Sequence, residues 1–171
     1  WGFVFLPDGS MLINEKAGEL IHFNKEKKTK VLGLPEIELL GQGGLMDIEL
    51  HPNYEDNGWI YLSYASSEGS GDGANTTIMR CKLTNNHLIE KQVLYKAKPN
   101  SKKGQHFGSR IVFDNAGYLY FTVGDRGSRD INPQDITRDG GKVYRLHDDG
   151  SIPKDNPFVN NTNAKKAIGK I

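Results

Sequence analysis

One histidine of the chain has the setting of a catalytic base. His106 lies in the segment Gly104–Asp114, where glycines flank it and an apolar, β-rich stretch follows from Arg110. Glycine permits unusual dihedral angles and a close approach of two backbones, which the rim of a binding site needs more often than a buried strand does. A neutral imidazole is basic near physiological pH, since its unperturbed pKa is about 6.5. The alternative interpretation is a histidine that caps or closes a turn.

The residues after His106 predict the β-hairpin that positions it. The apolar segment 111–113 leads to the turn signal Asn115-Ala116-Gly117, and the chain resumes as the strand-like segment 118–123. Two such runs around a glycine-containing turn are typical of strand, tight turn, strand. The pattern therefore places His106 at the mouth of a hairpin.

The same layout recurs along the chain and indicates an all-β fold. Three segments read as strand, tight turn, strand, and they are 3–13, 48–64 and 111–121. A further strand candidate follows each of them, and these candidates are 19–23, 77–83 and 141–146. No helical period of useful length competes with these signals. Recurrence at intervals of tens of residues suggests the blades of a β-propeller, in which sheets of about four strands surround a channel.

Three such units do not close a ring, because propellers typically have about four to eight blades. We therefore interpret the chain as part of a propeller that continues beyond this sequence. The expected units are blade one at 1–35, blade two at 41–97, blade three at 104–158 and the start of the next blade at 167–171. On its own, such a piece would expose two sheet edges and an apolar face, which favours aggregation.

Composition excludes several classes of partner. The 171 residues are 36% hydrophobic and 25% charged, which is typical of a globular domain with a core. The net charge of +1 gives no electrostatic footprint for nucleic acid. No stretch approaches the roughly 20 apolar residues that cross a bilayer. We therefore expect neither a nucleic-acid partner nor a membrane span.

Five motifs follow one another along the chain, and they are Trp1–Gly9, Gly41–Ile48 with His51-Pro52, His106–Arg110, Gly124–Gly127 and Gly150–Phe158. In this order they resemble the soluble quinoprotein sugar dehydrogenases, a family that includes soluble glucose dehydrogenase and the aldose sugar dehydrogenases. The resemblance covers nearly the whole chain. It implies a six-bladed β-propeller, of which this chain holds about three blades, and a periplasmic or secreted location.

The resemblance also implies a reaction, the oxidation of aldose sugars at C1 to lactones. The cofactors would be pyrroloquinoline quinone (PQQ), which takes hydride from C1, and calcium, and the partners a sugar substrate and a further electron acceptor. His106 matches the general base of the family, and Gln42 matches a glutamine beside the sugar. Asp125 and Arg126 follow the apolar strand that ends at Val123, where a loop of the propeller could reach the substrate, although family members differ at the position of Arg126. Residues that bind the quinone and calcium are expected beyond Ile171, with no metal site within this sequence.

Each of these assignments has a structural alternative. Gln42 could be a satisfied turn residue rather than a sugar contact, although an amide can both donate to and accept from a hydroxyl group. Asp125 and Arg126 could form an ion pair that stabilises their loop, which contributes less than about 1 kcal/mol when it is exposed.

Two positions depart from the family pattern. Gln105 stands where soluble glucose dehydrogenase carries an aspartate before the catalytic histidine, which favours the aldose dehydrogenase branch and leaves the preferred sugar open. Asp47 occupies a place where many relatives carry glycine, and we interpret it as a local variation in the turn before Ile48.

Two other functions remain open at this stage. A propeller of the same ancestry could serve as a binding module without turnover, as in the hedgehog-interacting proteins of animals. A calcium-stabilised propeller lactonase is a third possibility, but it needs a central carboxylate cage that this sequence does not show. Retention of His106 favours the enzyme, because function belongs to the site and not to the fold.

Overall fold

The computed structural model describes residues 1–169, and it confirms the all-β prediction. Three antiparallel sheets follow one another along the chain. The first sheet has the order β1-β2-β3-β4, and its strands are β1 (Gly2–Phe5), β2 (Met11–Glu15), β3 (Glu19–Asn24) and β4 (Lys27–Lys30). Asp8 closes its first turn, because its carboxylate accepts hydrogen bonds from the backbone N–H and the hydroxyl of Ser10.

The second sheet has the order β5-β6-β7-β8. Its strands are β5 (Leu45–Leu50), β6 (Ile60–Ser66), β7 (Asn75–Thr84) and β8 (His87–Lys96). A four-residue helix, α1 (Tyr54–Asn57), lies between β5 and β6, where the sequence predicted only a turn. Gly58 ends this helix with a φ of 69°, a left-handed conformation that glycine adopts at little cost.

The third sheet has the order β11-β10-β9, and its strands are β9 (Gly108–Phe113), β10 (Leu119–Val123) and β11 (Lys142–Leu146). The strands β9 and β10 form the predicted hairpin. Ile168 forms an antiparallel bridge with Tyr144, so this end of the described chain pairs with β11. The start of a further blade at 167–171 stays a prediction. Residues 170 and 171 lie outside the described part of the chain.

Strand β6 of the second sheet is buried on both faces, which explains its nearly continuous apolar sequence, whereas β8 at the edge of this sheet is largely exposed. Leu62 of β6 packs in a cluster with residues of the first sheet, including Leu12 and Leu20. Its neighbour Tyr61 points the other way, into a cluster with Phe121 of the third sheet. Full burial of an aliphatic or aromatic side chain contributes about 1.5–3 kcal/mol to the free energy of unfolding. These two clusters therefore hold the three sheets together.

Candidate active site

Antiparallel pairing of β9 and β10 brings His106 and Asp125 together. Gly108 at the start of β9 lies opposite Val123 at the end of β10, so the residues just outside both strands share one end of the hairpin. There the Nδ1 atom of His106 lies 2.7 Å from the Oδ1 atom of Asp125. The same oxygen accepts a hydrogen bond from the backbone N–H of Gly127 at 2.7 Å. Asp125, which the sequence placed beside the substrate, thus also holds the predicted base.

The backbones at this end approach so closely that one position admits only glycine. A Cβ atom added at Gly124 would lie 2.0 Å from the carbonyl oxygen of His106. The N–H of Gly124 donates to the carbonyl of Phe107 at 3.0 Å, which joins the two segments. His106 itself has a φ of 55°, an uncommon value for a residue with a side chain. The glycines around His106 therefore serve the close approach that the sequence indicated.

Gln42 reaches the same place from the second sheet. Its side-chain oxygen Oε1 accepts a hydrogen bond from the backbone N–H of His106 at 2.8 Å. Its own backbone N–H donates to the carbonyl of Gly104 at 2.6 Å. A Cβ atom at Gly41 would lie 2.2 Å from that carbonyl oxygen, so glycine is needed here as well. The loop before β5 thus docks against the loop before β9.

The electrostatics of the pair fix which nitrogen of His106 is basic. The hydrogen bond from His106, followed by that from the N–H of Gly127, holds the pKa of Asp125 below its usual range. An ionised carboxylate only accepts hydrogen bonds, so in the neutral imidazole of His106 it is Nδ1 that carries the proton and Nε2 that carries the lone pair. The side chain of His106 is 44% exposed, and among residues 1–169 its Nε2 has no hydrogen-bond partner. This arrangement leaves an exposed ring nitrogen that can accept a proton.

The cleft beside this base has mixed chemistry. It encloses about 350 Å³. Its lining includes the side chains of Gln42, Met46, His106, Phe107 and Arg110. The cleft therefore offers a proton acceptor, an amide, apolar surface and a cation within one space.

Arg126 is not one of the residues that line this cleft. Its side chain is buried, with 3% of the residue exposed. The guanidinium group donates to backbone carbonyls, including those of Lys103 and Gln105. The carboxylate of Asp125, its expected partner in an ion pair, bonds to His106 instead. The placement of Arg126 therefore lends no support to substrate contact, and it points to a role within the protein.

The prediction for Asp47 was wrong about its setting. Asp47 lies within β5 and not in the turn before it, and its carboxylate is buried. One carboxylate oxygen accepts a hydrogen bond from the N–H of Ile111 at 2.8 Å, and the other pairs with Arg110 at 3.1 Å. Burial raises the pKa of Asp47 despite these partners. Asp47 thereby links β5 to β9 beside the cleft. The link joins opposite charges on two strands, and the sequence analysis did not predict it.

The geometry can be compared with known proteins. A sequence profile described as glucose/sorbosone dehydrogenase matches residues 1–169. The chain belongs to this family. Among its relatives, the aldose sugar dehydrogenase YliI of Escherichia coli is 37% identical over 98% of this chain and 46% of its own length. Quinoprotein glucose dehydrogenase B of Acinetobacter calcoaceticus is 32% identical over 94% of this chain and 38% of its own length.

Hedgehog-interacting protein of the mouse is a more distant relative, 29% identical over 94% of this chain and 25% of its own length. Among solved structures, the apo form of the soluble aldose sugar dehydrogenase of E. coli superposes with a TM-score of 0.92. It is 35% identical, and the match covers 98% of this chain and 49% of that one. The PQQ-bound aldose sugar dehydrogenase of Streptomyces coelicolor gives a TM-score of 0.79 at 24% identity, with 98% of this chain and 48% of that one covered.

These comparisons confirm the predicted β-propeller fold. The three sheets correspond to about three blades of a six-bladed propeller, and the chain spans about half the length of the structures that it matches. Within residues 1–169, no helix is both long and apolar enough to cross a membrane. The same residues contain no group of three or more His, Cys, Asp or Glu side chains that could hold a metal ion.

Proposed function

We propose that the complete protein carrying this sequence oxidises an aldose at C1 to the lactone, with PQQ as hydride acceptor and His106 as general base. The observation that carries the proposal is the 2.7 Å contact between Nδ1 of His106 and Asp125, which leaves Nε2 as an exposed proton acceptor beside a cleft. Membership of the glucose/sorbosone dehydrogenase family supports the substrate class.

His106 performs the proton transfer in this proposal. Its Nε2 lone pair takes the proton of the anomeric hydroxyl as the C1–H bond breaks, and the new C=O bond of the lactone forms from the electrons of the O–H bond. The imidazolium that results is stabilised by the ionised carboxylate of Asp125, which also keeps the ring in one orientation. When bound, the quinone supplies a two-electron acceptor for the hydride.

The residues of the cleft are compatible with a quinone. PQQ is planar and carries carboxylates, so it suits a space with apolar walls and a cation. Trp1, 63% exposed, provides apolar surface, and the side chain of Arg110, 72% exposed and paired with Asp47, provides the cation. For calcium, residues 1–169 contain no group of three or more His, Cys, Asp or Glu side chains, and we derive no role for it from these residues.

Gln42 is the proposed sugar contact of this chain. Its Oε1 is occupied by the N–H of His106, whereas its amide nitrogen has no hydrogen-bond partner among residues 1–169. That nitrogen carries two N–H donors at the edge of the cleft, which suit the oxygen of a sugar hydroxyl.

The variant Gln42→Glu separates the two tasks of this side chain. A carboxylate still accepts from the N–H of His106 but no longer donates to a sugar, so we expect the KM to rise by roughly 3- to 10-fold with a smaller change in kcat. Gln42→Met loses both interactions and should lower kcat as well. Steady-state kinetics over several aldoses check both results, with the exposed Gln134→Ala as the control. An unchanged KM in Gln42→Glu would exclude the sugar contact.

Gln105 favours a range of aldose substrates over glucose as the single substrate. It replaces the aspartate that soluble glucose dehydrogenase carries beside its base, and the chain is more similar to the aldose sugar dehydrogenase of E. coli than to the glucose enzyme of A. calcoaceticus. A periplasmic or secreted location and a separate electron acceptor are part of the same proposal.

A second candidate is a binding module without turnover, which the similarity to hedgehog-interacting protein favours. One experiment distinguishes the two. The complete protein is incubated with PQQ and Ca²⁺, and the oxidation of a panel of aldoses is followed with an artificial electron acceptor. We expect quinone binding and turnover. A folded protein that binds no quinone would support the binding module instead.

A further inference from the structure

The guanidinium group of Arg126 contacts the loop that carries His106. Its Nη1 donates to the carbonyl of Gln105 at 2.5 Å, and its Nη2 donates to the carbonyl of Lys103 at 2.6 Å. The plane of the group lies over the ring of Phe107, with 3.4 Å between the guanidinium carbon and the ring centroid. These contacts reach residues on both sides of His106.

The same group also reaches the second sheet. Its Nη2 lies 3.3 Å from the carbonyl oxygen of Ala74 and 3.5 Å from that of Ser101. Ala74 precedes β7, and its backbone pairs with that of Ser101 in an isolated antiparallel bridge. Arg126 therefore joins the loop after β10, the loop before β9 and the residues at the start of β7 in the neighbouring sheet. Its planar fork of donors suits several acceptors at fixed positions, which a lysine ammonium group does less well.

The peptide group between Gln105 and His106 is held from both sides. Its carbonyl accepts from Arg126 at 2.5 Å, and its N–H donates to the Oε1 atom of Gln42 at 2.8 Å. Directly after this peptide, His106 adopts a φ of 55°. A residue with a side chain persists in that left-handed region only where its surroundings determine it. Arg126 and Gln42 are the groups that fix this peptide plane.

The position of Arg126 is costly for a merely structural residue. A buried cation is tolerated only with partners, and here the partners are neutral carbonyls, with Nε buried and unpaired among residues 1–169. Burial lowers the pKa of Arg126 to about 10, so the group is still protonated at neutral pH. An apolar side chain of similar size would avoid the cost of burying a charge, but it would leave the carbonyls of Lys103 and Gln105 without the N–H donors that the guanidinium provides.

We propose that Arg126 is a positioning residue, whose buried guanidinium fixes the peptide before His106 and so aims the imidazole at the cleft. Its effect on catalysis rests on the proposed function, whereas its effect on the loop does not. Asp125 orients the imidazole ring through its side chain, and the adjacent Arg126 orients the backbone from which the ring extends.

The proposal is tested in the complete protein with Arg126→Gln and Arg126→Lys. Misplacement of a reacting group by about 1 Å can cost a factor of about 100, so we expect kcat to fall by roughly 10- to 100-fold in Arg126→Gln and by less in Arg126→Lys. The KM for the sugar should change by less than about 3-fold, because the guanidinium does not face the substrate. Arg129→Gln, an exposed residue of the same loop, makes the same charge change and serves as the control.

Hydrogen exchange gives a readout that does not depend on activity. In the protein without quinone or sugar, amides of residues 101–109 should exchange faster in Arg126→Gln than in the wild type or in Arg129→Gln. If Arg126→Gln does not fold, Arg126→Lys and Phe107→Leu provide the same comparison, since each weakens the contact and keeps a similar volume.

Three results would overturn the proposal. Unchanged exchange over residues 101–109 would show that Arg126 does not order this loop. An unchanged kcat in an active enzyme would show that the loop order is irrelevant to catalysis. A rise in KM without a fall in kcat would instead assign Arg126 to the sugar. If the wild type proves inactive, faster exchange in the variants still supports the positioning role, so the two failures are distinguishable.

Discussion

Replacement of His106 by alanine should lower kcat of the complete, PQQ-loaded protein by at least about 100-fold. The variant removes the Nε2 lone pair that takes the anomeric proton, and no other imidazole lines this cleft among the described residues. Steady-state turnover of an aldose with an artificial electron acceptor measures the effect. Quinone binding should persist, because Trp1 and Arg110 of the cleft are unchanged in this variant.

Two further variants separate proton transfer from structure at this position. His106→Asn keeps an amide N–H that can donate to Asp125 but has no basic nitrogen, so its kcat should be as low as that of the alanine variant. His87→Ala changes an exposed histidine of β8, at the opposite edge of the second sheet from β5, and should behave like the wild type. Undiminished turnover in His106→Ala would remove this residue from the mechanism.

The sequence predicted the hairpin at the site because the information for it is local. Asp114 lies at the start of the turn, and its carboxylate accepts hydrogen bonds from the N–H groups of Ala116 and Tyr118, both at 2.9 Å. Gly117 supplies the positive φ of 82° that the turn requires. Such signals lie within a few residues of one another, so a reader of the sequence can use them without knowing the fold.

The roles of Asp125 and Arg126 depend on contacts that the sequence does not encode locally. Asp125 is 19 residues from His106, and Arg126 is 52 residues from Ala74, one of the carbonyls that it reaches. Adjacent residues of one loop thus point in different directions, the carboxylate to the imidazole and the guanidinium into the interior. Only the pairing of β9 with β10 and the packing of the sheets decide this, so the sequence supported a common substrate role for both.

Asp47 illustrates the same limit for a departure from the family pattern. The sequence showed an aspartate where relatives carry glycine, but the partners of that aspartate are on β9, 63 and 64 residues away. A carboxylate buried between two strands is tolerated because the N–H of Ile111 and the guanidinium of Arg110 both donate to it. The meaning of the substitution is therefore visible only when both strands are placed.

Asp125→Asn should lower kcat by roughly 10- to 1,000-fold with little change in KM, because an opposite charge at hydrogen-bond distance favours the imidazolium by about 1–3 pKa units. An ionised carboxylate accepts from Nδ1 of His106, which leaves Nε2 of the neutral ring unprotonated, the form that the proposed reaction needs. The amide oxygen of an asparagine can still accept from both Nδ1 of His106 and the N–H of Gly127, so the proton should stay on Nδ1, but a neutral amide no longer stabilises the imidazolium that forms. Steady-state kinetics measure the loss, and ¹⁵N spectra of histidine-labelled protein report which nitrogen of His106 is protonated.

The pH dependence of stability provides an independent check of Asp125. Its folded-state pKa is lowered, first by the hydrogen bond from His106, so the ionised carboxylate stabilises the fold above its ordinary pKa, and this stabilisation is lost as pH falls through the lowered value. Asp125→Asn does not titrate and should lose less stability than the wild type over that acidic interval. Asp130→Asn, an exposed aspartate of the same loop, should retain both the kinetics and the pH dependence of the wild type. If Asp125→Asn keeps full activity, the charge of the carboxylate does not stabilise the imidazolium that the proposed reaction forms, and His106 accepts the proton without its help.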